Sequence, residues 1–406
     1  MIFWKDSFTN IEHSYSSLLI DVNATGAIGS IIKETDPYTF FKKLIIALTN
    51  NIDVVLLDGD LSEEEEIALV GHEPLRSTSF INNRIISNPA ELKDSILAST
   101  ASLTLFTSGT TGRPKKVKQA AVNFLRSVKA SDKFAKNVWG FAYNPSHMAG
   151  LQVFFQGVVN LNPFIYIFRQ TKSNIIFQIE DNAITNISAT PTFLRGLLPA
   201  DFILTSVKRI TTGGEKFDAG LVEGLQPCFP EAAFRNIYAS TESGSLFTAQ
   251  GNIFSVPENI AALVKIEDGI LFIHHSLVGE GDFSFKGDWY VTGDVVDVIH
   301  ETPLQFIFSH RNSELINVGG YKVNPHEIED ALVRYSHVRN AKVFGKKNAL
   351  LGNTVIAEVE MDKDKFSEIS IKNFLANSLQ EYKIPVFIKR VDKINITHTG
   401  KIERIQ

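Results

Sequence analysis

The segment from Leu103 to Gln119, LTLFTSGTTGRPKKVKQ, combines hydroxyl side chains, glycines and lysines that suit a phosphate group. Hydroxyl groups and closely approaching backbone N–H groups donate hydrogen bonds to phosphate oxygens, and lysines add positive charge. A Walker A loop needs four residues between its glycines, followed by Gly-Lys-Ser/Thr at the start of a helix. Here two residues separate Gly109 from Gly112, and the segment after Pro114 favours a second strand. The pattern therefore indicates a different phosphate-binding loop, with a plain Ser/Thr/Gly connector as the alternative.

Five later segments carry acidic, aromatic, glycine-rich or basic residues that could serve the same chemistry. They are TTGGEKF (211–217), NIYASTESG (236–244), YVTGDVV (290–296), HRNSELINVGGYKVNPHEIE (310–329) and THTGKIER (397–404). Taken singly, each has an ordinary structural explanation, such as a surface glutamate, a core tyrosine, a turn aspartate or a solvated lysine. Taken in this order after the phosphate loop, they resemble the adenylate-forming superfamily of acyl-CoA and aryl-CoA ligases, nonribosomal-peptide adenylation domains and luciferases.

This resemblance implies an ATP site built from several segments. It implies that the β- and γ-phosphates are held by Thr107, Ser108, Gly109, Thr110, Thr111, Gly112 and Lys115. The adenine side is implied for Gly213, Gly214, Glu215, Asn236 and Tyr238. The aromatic ring of Tyr238 would stack on the base. The two carboxylate oxygens of Asp294 would accept hydrogen bonds from the ribose hydroxyl groups, and Arg311 would add a ribose contact.

The resemblance also implies which residues would take part in adenylation. A substrate carboxylate and the α-phosphate of ATP repel each other, so the site must place cations between them. Glu242 resembles a Mg²⁺ ligand, with Thr110 as a second metal contact, and Thr241 resembles an α-phosphate contact. Lys401 would bring an ammonium group to the carboxylate and the bridging oxygen.

Two more segments are implied to bind the acid and the thiol. NPSHMAGLQVFFQ (144–156) resembles the acid-pocket motif of o-succinylbenzoate-CoA and related aryl-CoA ligases, with His147 at the pocket. A core histidine is the alternative for His147. The pantetheine arm would pass Gly319, Gly320 and Lys322, and Ser313 would be the hinge about which the C-terminal domain rotates between the two half-reactions.

The function implied is ATP-dependent activation of an aryl or medium-chain carboxylic acid, with pyrophosphate release and transfer to the thiol of coenzyme A. The implied cofactors are ATP, Mg²⁺ and coenzyme A, or the phosphopantetheine of a carrier protein. A ligase that loads an acyl carrier protein and a non-catalytic nucleotide-binding homologue are the alternatives. Lys116 and Ala239 replace glycines that are common in the family's motifs.

Alternating β-branched runs and amphipathic stretches predict an α/β fold that positions these segments. We expect a large N-terminal domain over 1–310, with α/β sheet subdomains and a small β-rich lobe at about 253–300. A small, mobile α+β C-terminal domain is expected over 311–406. In it, Asn324 should cap a helix that has Pro325 in its first turn, and Glu327 should complete a capping box.

Composition narrows the functional classes. A net charge of −5, and an acidic run as the longest charge cluster, argue against nucleic-acid binding. The single cysteine favours a reducing compartment, and MIFWKDSF lacks a secretory signal pattern, so we expect a cytoplasmic protein. The uncharged stretch 149–168 contains Gln, Asn and Pro residues, so a buried helix, a turn and a strand fit better than a membrane span. Both a monomer and a homodimer are compatible with the sequence.

Overall fold

The computed structural model describes residues 1–71, 78–107, 115–199, 201–214, 219–311, 314–318, 321–348 and 352–395. The strands in these ranges are β1 (Ile2–Asp6), β2 (Glu12–Ser14), β3 (Ala27–Gly29), β4 (Ile31–Glu34), β5 (Val54–Asp58), β6 (Ser79–Ile81), β7 (Ser102–Thr107), β8 (Lys115–Ala120), β9 (Trp139–Phe141), β10 (Phe164–Tyr166), β11 (Asn186–Ala189), β12 (Arg209–Gly213), β13 (Ala233–Ser240), β14 (Gly244–Gln250), β15 (Ile253–Ser255), β16 (Val264–Glu267), β17 (Ile270–His274), β18 (Glu280–Gly281), β19 (Phe285–Lys286), β20 (Trp289–Glu301), β21 (Leu304–Arg311), β22 (Ile316–Val318), β23 (Tyr321–Val323), β24 (Asn340–Asn348), β25 (Gly352–Glu360) and β26 (Phe387–Val391).

The α-helices in the same ranges are α1 (Tyr15–Ala24), α2 (Pro37–Thr49), α3 (Glu63–Val70), α4 (Pro89–Leu97), α5 (Ala121–Leu125), α6 (Met148–Val159), α7 (Lys172–Asp181), α8 (Pro191–Arg195), α9 (Ala219–Leu225), α10 (Pro325–Val333) and α11 (Glu368–Ala376). None of them combines the length and the apolar character that crossing a membrane requires. The stretch 149–168 forms most of α6, a turn and β10, as its sequence predicts.

A fourteen-stranded sheet forms the centre of the N-terminal part. Six neighbouring strands, in the order β13, β12, β11, β9, β10 and β1, run parallel. The short strands β9 (WGF) and β10 (FIY) carry no charged residue and are buried throughout, as expected of parallel strands covered on both faces. Because the six strands are parallel, their carboxyl ends lie along one edge of the sheet.

The β-rich segment continues this sheet through the pairing of β15 with β14. Strands β15, β21, β20, β17 and β16 follow in spatial order and are antiparallel to one another. They enclose a hydrophobic core of their own, which includes Phe247, Phe254 and Phe306. The expected β-rich lobe is therefore present, and its last strand ends at Arg311.

The strands on either side of the phosphate loop form an antiparallel hairpin. Thr107 at the end of β7 pairs with Lys115 at the start of β8. A strand follows Pro114, as the sequence predicts, where a Walker A loop would continue into a helix. This hairpin belongs to a five-stranded sheet in the order β18, β8, β7, β5 and β4.

The C-terminal part has its own sheet of β22 to β26 and a separate apolar core against α10 and α11. Asn324 caps α10, but its side chain accepts a hydrogen bond from the backbone N–H of His326. The predicted capping box is wrong, because both carboxylate oxygens of Glu327 accept hydrogen bonds from Lys383, at 2.7 and 2.9 Å. A charged partner from a distant segment has replaced the local backbone contact.

Candidate nucleotide and acid site

The predicted site segments follow the carboxyl ends of neighbouring parallel strands. His147 lies beyond β9, Gly214 follows β12, and Thr241 and Glu242 follow β13. Gly214 has φ of +79°, a backbone conformation that side chains rarely adopt. Asn236 is buried on β13, opposite Thr212 of β12. In parallel α/β sheets this edge is where ligands bind, so the fold gathers the acid-pocket and adenine-side segments at a suitable place.

The turn between β13 and β14 presents Thr241 and Glu242. Ser240 pairs with Gly244 across the hairpin, and Gly244 has φ of +72°. The backbone N–H of Ser243 donates to the hydroxyl group of Ser240 at 3.1 Å, which closes the turn. The loop between the paired residues has three residues, 241–243, which is among the common lengths for hairpin connections, and the left-handed Gly244 follows it. The carboxylate of Glu242 is therefore carried on a tight turn.

Asp294 is a buried carboxylate that forms an ion pair at this site. Its side chain is 1% exposed and accepts a hydrogen bond from Arg311 Nε at 2.6 Å. The hydroxyl group of Tyr238 donates to Asp294 Oδ2 at 2.5 Å, and Arg311 Nη2 donates to the same oxygen at 3.4 Å. The backbone N–H of Asp294 donates to Thr292 Oγ1 at 3.0 Å. Three residues predicted for the adenosine moiety thus contact one another directly.

The negative charges of Asp294 and Glu242 shift the pKa values of neighbouring side chains. Burial and the negative charge of Asp294 raise the pKa of Tyr238, which stays protonated and donates to the carboxylate. Burial lowers the pKa of Arg311, but the charges of Asp294 and Glu242 and the hydrogen bonds to Asp294 outweigh it, so the net shift is upward. Burial and then the charge of Glu242 raise the pKa of Tyr290. Tyr238, Asp294 and Arg311 therefore form a contacting group, and the charge of Glu242 acts on Arg311 and Tyr290.

His147 contacts an acidic residue that has no place in the predicted site. Its Nε2 lies 2.8 Å from Asp58 Oδ1 and 3.0 Å from Oδ2. Asp58 ends β5 in the five-stranded sheet, while His147 precedes α6 beside the large sheet. Ser146 also donates its hydroxyl hydrogen to Asp58. The pair therefore connects two sheets and holds the imidazole ring in one orientation.

We expect His147→Ala to raise the KM for the carboxylic acid about tenfold, the loss typical of one hydrogen bond to a charged group. Asp58→Asn should raise this KM about threefold, because an amide can still orient the ring through one hydrogen bond. Steady-state kinetics at saturating ATP checks both values. Asp60→Asn is the matched control, since Asp60 pairs with Arg169 at the surface, at 3.1 Å. If His147→Ala and Asp58→Asn both lower thermal stability but leave the KM unchanged, His147 has only a structural role between the two sheets.

The contacts described above involve only part of the predicted site. Lys115 is exposed at the start of β8. The other predicted residues are outside the described ranges, or have side chains that are: Thr107, Ser108, Gly109, Thr110, Thr111, Gly112, Glu215, Ser313, Gly319, Gly320, Lys322 and Lys401. Their roles stay predictions.

Three residues at the site carry no role in the sequence-based prediction. Tyr290 lies within the YVTGDVV motif, whose aromatic first position was an available signal. Asp58 is the last residue of an apolar β-strand pattern, which marks a strand end without identifying its partner. Gln119 closes the phosphate-loop segment, and no local pattern shows that a glutamine at that point is buried.

Two family models match the chain. The model described as AMP-binding enzyme matches residues 20–263, which is more than half of the chain. The model described as AMP-binding enzyme C-terminal domain matches residues 327–401. Both matches agree with the motif order along the sequence.

A curated relative and two solved structures extend these matches. The 2-succinylbenzoate–CoA ligase of Listeria monocytogenes serotype 4b (strain F2365) is 28% identical over 343 residues, covering 78% of this chain and 71% of that protein. The o-succinylbenzoate coenzyme A synthetase from Bacillus subtilis, in complex with ATP and magnesium ion, has a TM-score of 0.74 at 19% identity and covers 99% of this chain and 95% of that chain. The anthranilate CoA ligase AuaEII, in complex with anthranoyl-AMP, has a TM-score of 0.74 at 15% identity, with 99% and 92% covered. The two structures establish the shared fold.

Proposed function

The chain belongs to the AMP-binding enzyme family, and from this membership we propose that it converts an aromatic carboxylic acid to an acyl-adenylate and then to a coenzyme A thioester. It is an AMP-forming acid–thiol ligase of the acyl-CoA synthetase type, with ATP, Mg²⁺ and coenzyme A as its cofactors. The observation that supports the proposal most strongly is the direct contact of Tyr238 and Arg311 with Asp294. These three residues come from three separate motifs of the chain.

The Asp294 cluster suits the adenosine moiety of ATP. A carboxylate accepts hydrogen bonds from two neighbouring ribose hydroxyl groups, and Arg311 forms an ion pair with the Asp294 carboxylate. Oδ2 of Asp294 already accepts from Tyr238 and Arg311. We propose that the ribose hydroxyl groups take the place of the Tyr238 hydroxyl group on this oxygen. The ring of Tyr238 is then released to pack against adenine.

The donor set fits Mg²⁺ through Glu242. Mg²⁺ prefers hard oxygen ligands, keeps several waters and is commonly bound by one or two carboxylates together with substrate phosphates. Within the described part of the chain, no group of three or more His, Cys, Asp or Glu side chains could hold a metal by itself. This agrees with a metal bound jointly by the nucleotide and Glu242. Bound there, Mg²⁺ would supply positive charge to the phosphate oxygens.

We propose that the acid is of the o-succinylbenzoate type. The Listeria relative is named 2-succinylbenzoate–CoA ligase, and the segment 144–156 resembles the acid-pocket motif of such ligases. The elements at the carboxyl edge of the large sheet are rich in apolar residues, such as Met148, Leu151 and Leu194, which are buried in the hydrophobic cores. An apolar environment of this kind favours an aromatic ring over a free amino group, which would lose its water there.

A pyrophosphate-release assay over aromatic, fatty and amino acids tests this function. We expect release with o-succinylbenzoate to exceed that with a medium-chain fatty acid by at least about tenfold, the discrimination that a few apolar contacts can supply. Addition of free coenzyme A should yield the thioester, which mass spectrometry detects. Thioester formation only with a phosphopantetheine-bearing carrier protein would favour carrier loading. Absence of acid-dependent release across the panel would reject catalysis.

A further inference from the structure

The side chain of Gln119 is the hydrogen-bonding centre between the phosphate-loop hairpin and the Thr241–Glu242 turn. Gln119 lies on β8, four residues after Lys115, and is 0% exposed. Its Nε2 donates to the backbone carbonyl of Thr241 at 2.7 Å and to that of Glu242 at 2.7 Å. The carboxamide therefore uses both of its N–H donors on the two residues predicted to contact phosphate and metal.

A second pair of hydrogen bonds fixes the orientation of this carboxamide. Asn123 Nδ2 donates to Gln119 Oε1 at 2.7 Å, and Arg126 Nη2 donates to Asn123 Oδ1 at 2.8 Å. With its oxygen occupied by Asn123, the Gln119 carboxamide directs its NH₂ group towards the turn. Burial of an amide is costly unless its hydrogen bonds are formed, so this chain of contacts favours one arrangement.

The backbone around Gly279 closes the same junction from the other side. The N–H of Gly279 donates to the carbonyl of Glu242 at 2.8 Å. A Cβ atom at Gly279 would lie 2.6 Å from the carbonyl oxygen of Lys118 and 2.7 Å from the Gln119 carboxamide. The next residues, Glu280 and Gly281, pair with β8. The Glu242 carbonyl is thus held by two donors from segments that are distant in sequence.

We propose that Gln119 is a positioning residue that holds the Thr241–Glu242 turn against β8, the strand that follows the phosphate-loop segment. The inference rests on the proposed function, in which Glu242 binds Mg²⁺ and the loop binds the β- and γ-phosphates. A metal bridging phosphates requires its protein ligand and the phosphate donors to keep one relative placement. Gln119 provides it by attaching the backbone of the turn to the strand that leaves the loop.

The test measures how much Mg²⁺ improves the binding of α,β-methylene-ATP, a nucleotide that cannot be cleaved at the reacting bond. Calorimetry gives the dissociation constant in EDTA and the dissociation constant in Mg²⁺. The first divided by the second is the Mg²⁺ ratio. We expect Gln119→Leu to reduce this ratio about tenfold, while the dissociation constant in EDTA changes by no more than about twofold. Asn123→Leu, which leaves the Gln119 side chain in place but without its orienting donor, should reduce the ratio about threefold.

Gln178→Leu is the matched control. Gln178 is also buried, at 5% exposure, and its Oε1 also accepts a hydrogen bond from the asparagine four residues on, Asn182 at 2.9 Å. Gln178 lies on α7. The Gln178→Leu variant should be less stable than the wild type but should keep the same Mg²⁺ ratio. Equal ratios in Gln119→Leu and Gln178→Leu overturn the inference. If Gln119→Leu does not fold, Asn123→Leu decides by the same comparison. A wild-type protein without any Mg²⁺-dependent gain contradicts the proposed function itself.

Discussion

Lys401→Ala is expected to lower the rate of adenylate formation about a thousandfold, at the upper end of what removal of one charge-stabilising donor causes. The ammonium group would lie between the substrate carboxylate and the α-phosphate, whose repulsion rises as they approach. Lys401 is outside the described residues, so this prediction rests on the motif THTGKIER. Single-turnover measurement of acyl-adenylate and pyrophosphate checks it. The second half-reaction, in which the thiol attacks the acyl carbon of a supplied adenylate and AMP leaves, should keep its rate within about threefold, because the family resemblance implies that the C-terminal domain has by then rotated and withdrawn Lys401.

Lys393→Ala is the matched control for this measurement. Lys393 is an exposed lysine near the end of the described C-terminal part. The Lys393→Ala variant loses the same positive charge as Lys401→Ala, and the rates of both half-reactions should stay at the wild-type values. Equal losses in the two half-reactions of Lys401→Ala would contradict the proposed division of labour. Such a result would indicate instead that the substitution disturbs the whole domain.

The elements around the site could be predicted because short-range patterns define them. The residues after Pro114 form a strand in which the buried Val117 and Gln119 alternate with less buried positions. Residues 149–168 form a buried helix and a strand, and amide side chains in this stretch find local partners, such as Asn160 donating to the carbonyl of Gln156 at 2.8 Å. Asn324 caps α10 because its side chain reaches a backbone N–H two residues ahead. Each of these outcomes depends on neighbours along the chain.

The contacts that bring the site together could not be predicted in the same way. Gln119 donates to carbonyl groups more than 120 residues away, and His147 meets Asp58 across 89 residues. Periodicity shows which face of an element is buried, but it does not show which element covers that face. Glu327 is an example in which a distant contact competes with a local one. Lys383 offers its carboxylate a full positive charge, whereas the local capping box offers one backbone N–H.

The bond between Tyr238 and Asp294 is a second feature that motif matching does not supply. Family motifs assign these residues to different parts of the nucleotide, which suggests two separate contacts. In the folded chain, β13 and β20 bring the phenol and the carboxylate together, and burial with the charge of Asp294 keeps the phenol protonated. The protein thereby satisfies a buried carboxylate without the nucleotide. Under the proposed function, ribose binding at Asp294 would exchange one hydrogen-bond donor for another.

Asp294→Asn is expected to weaken ATP binding about a hundredfold, because one strong acceptor for the ribose hydroxyl groups is replaced by a donor and Arg311 loses its counter-charge. The free energy of unfolding should fall by about 2 kcal/mol. This is less than the ~3–5 kcal/mol for breaking a fully buried ion pair, because the Arg311 side chain remains 38% exposed to water. Calorimetry with ATP and urea denaturation check the two values.

A nucleotide without ribose hydroxyl groups separates the binding role of Asp294 from its structural role. The wild-type protein should bind ATP much more tightly than 2′,3′-dideoxy-ATP, and Asp294→Asn should bind both about equally, because the lost acceptor is the one those hydroxyl groups use. Asp297→Asn is the matched control, since Asp297 lies on the same strand with its side chain exposed and undergoes the same change of charge. The Asp297→Asn variant should keep the wild-type preference for ATP over 2′,3′-dideoxy-ATP. If Asp294→Asn also keeps the preference, Asp294 stabilises Arg311 alone and the ribose binds elsewhere.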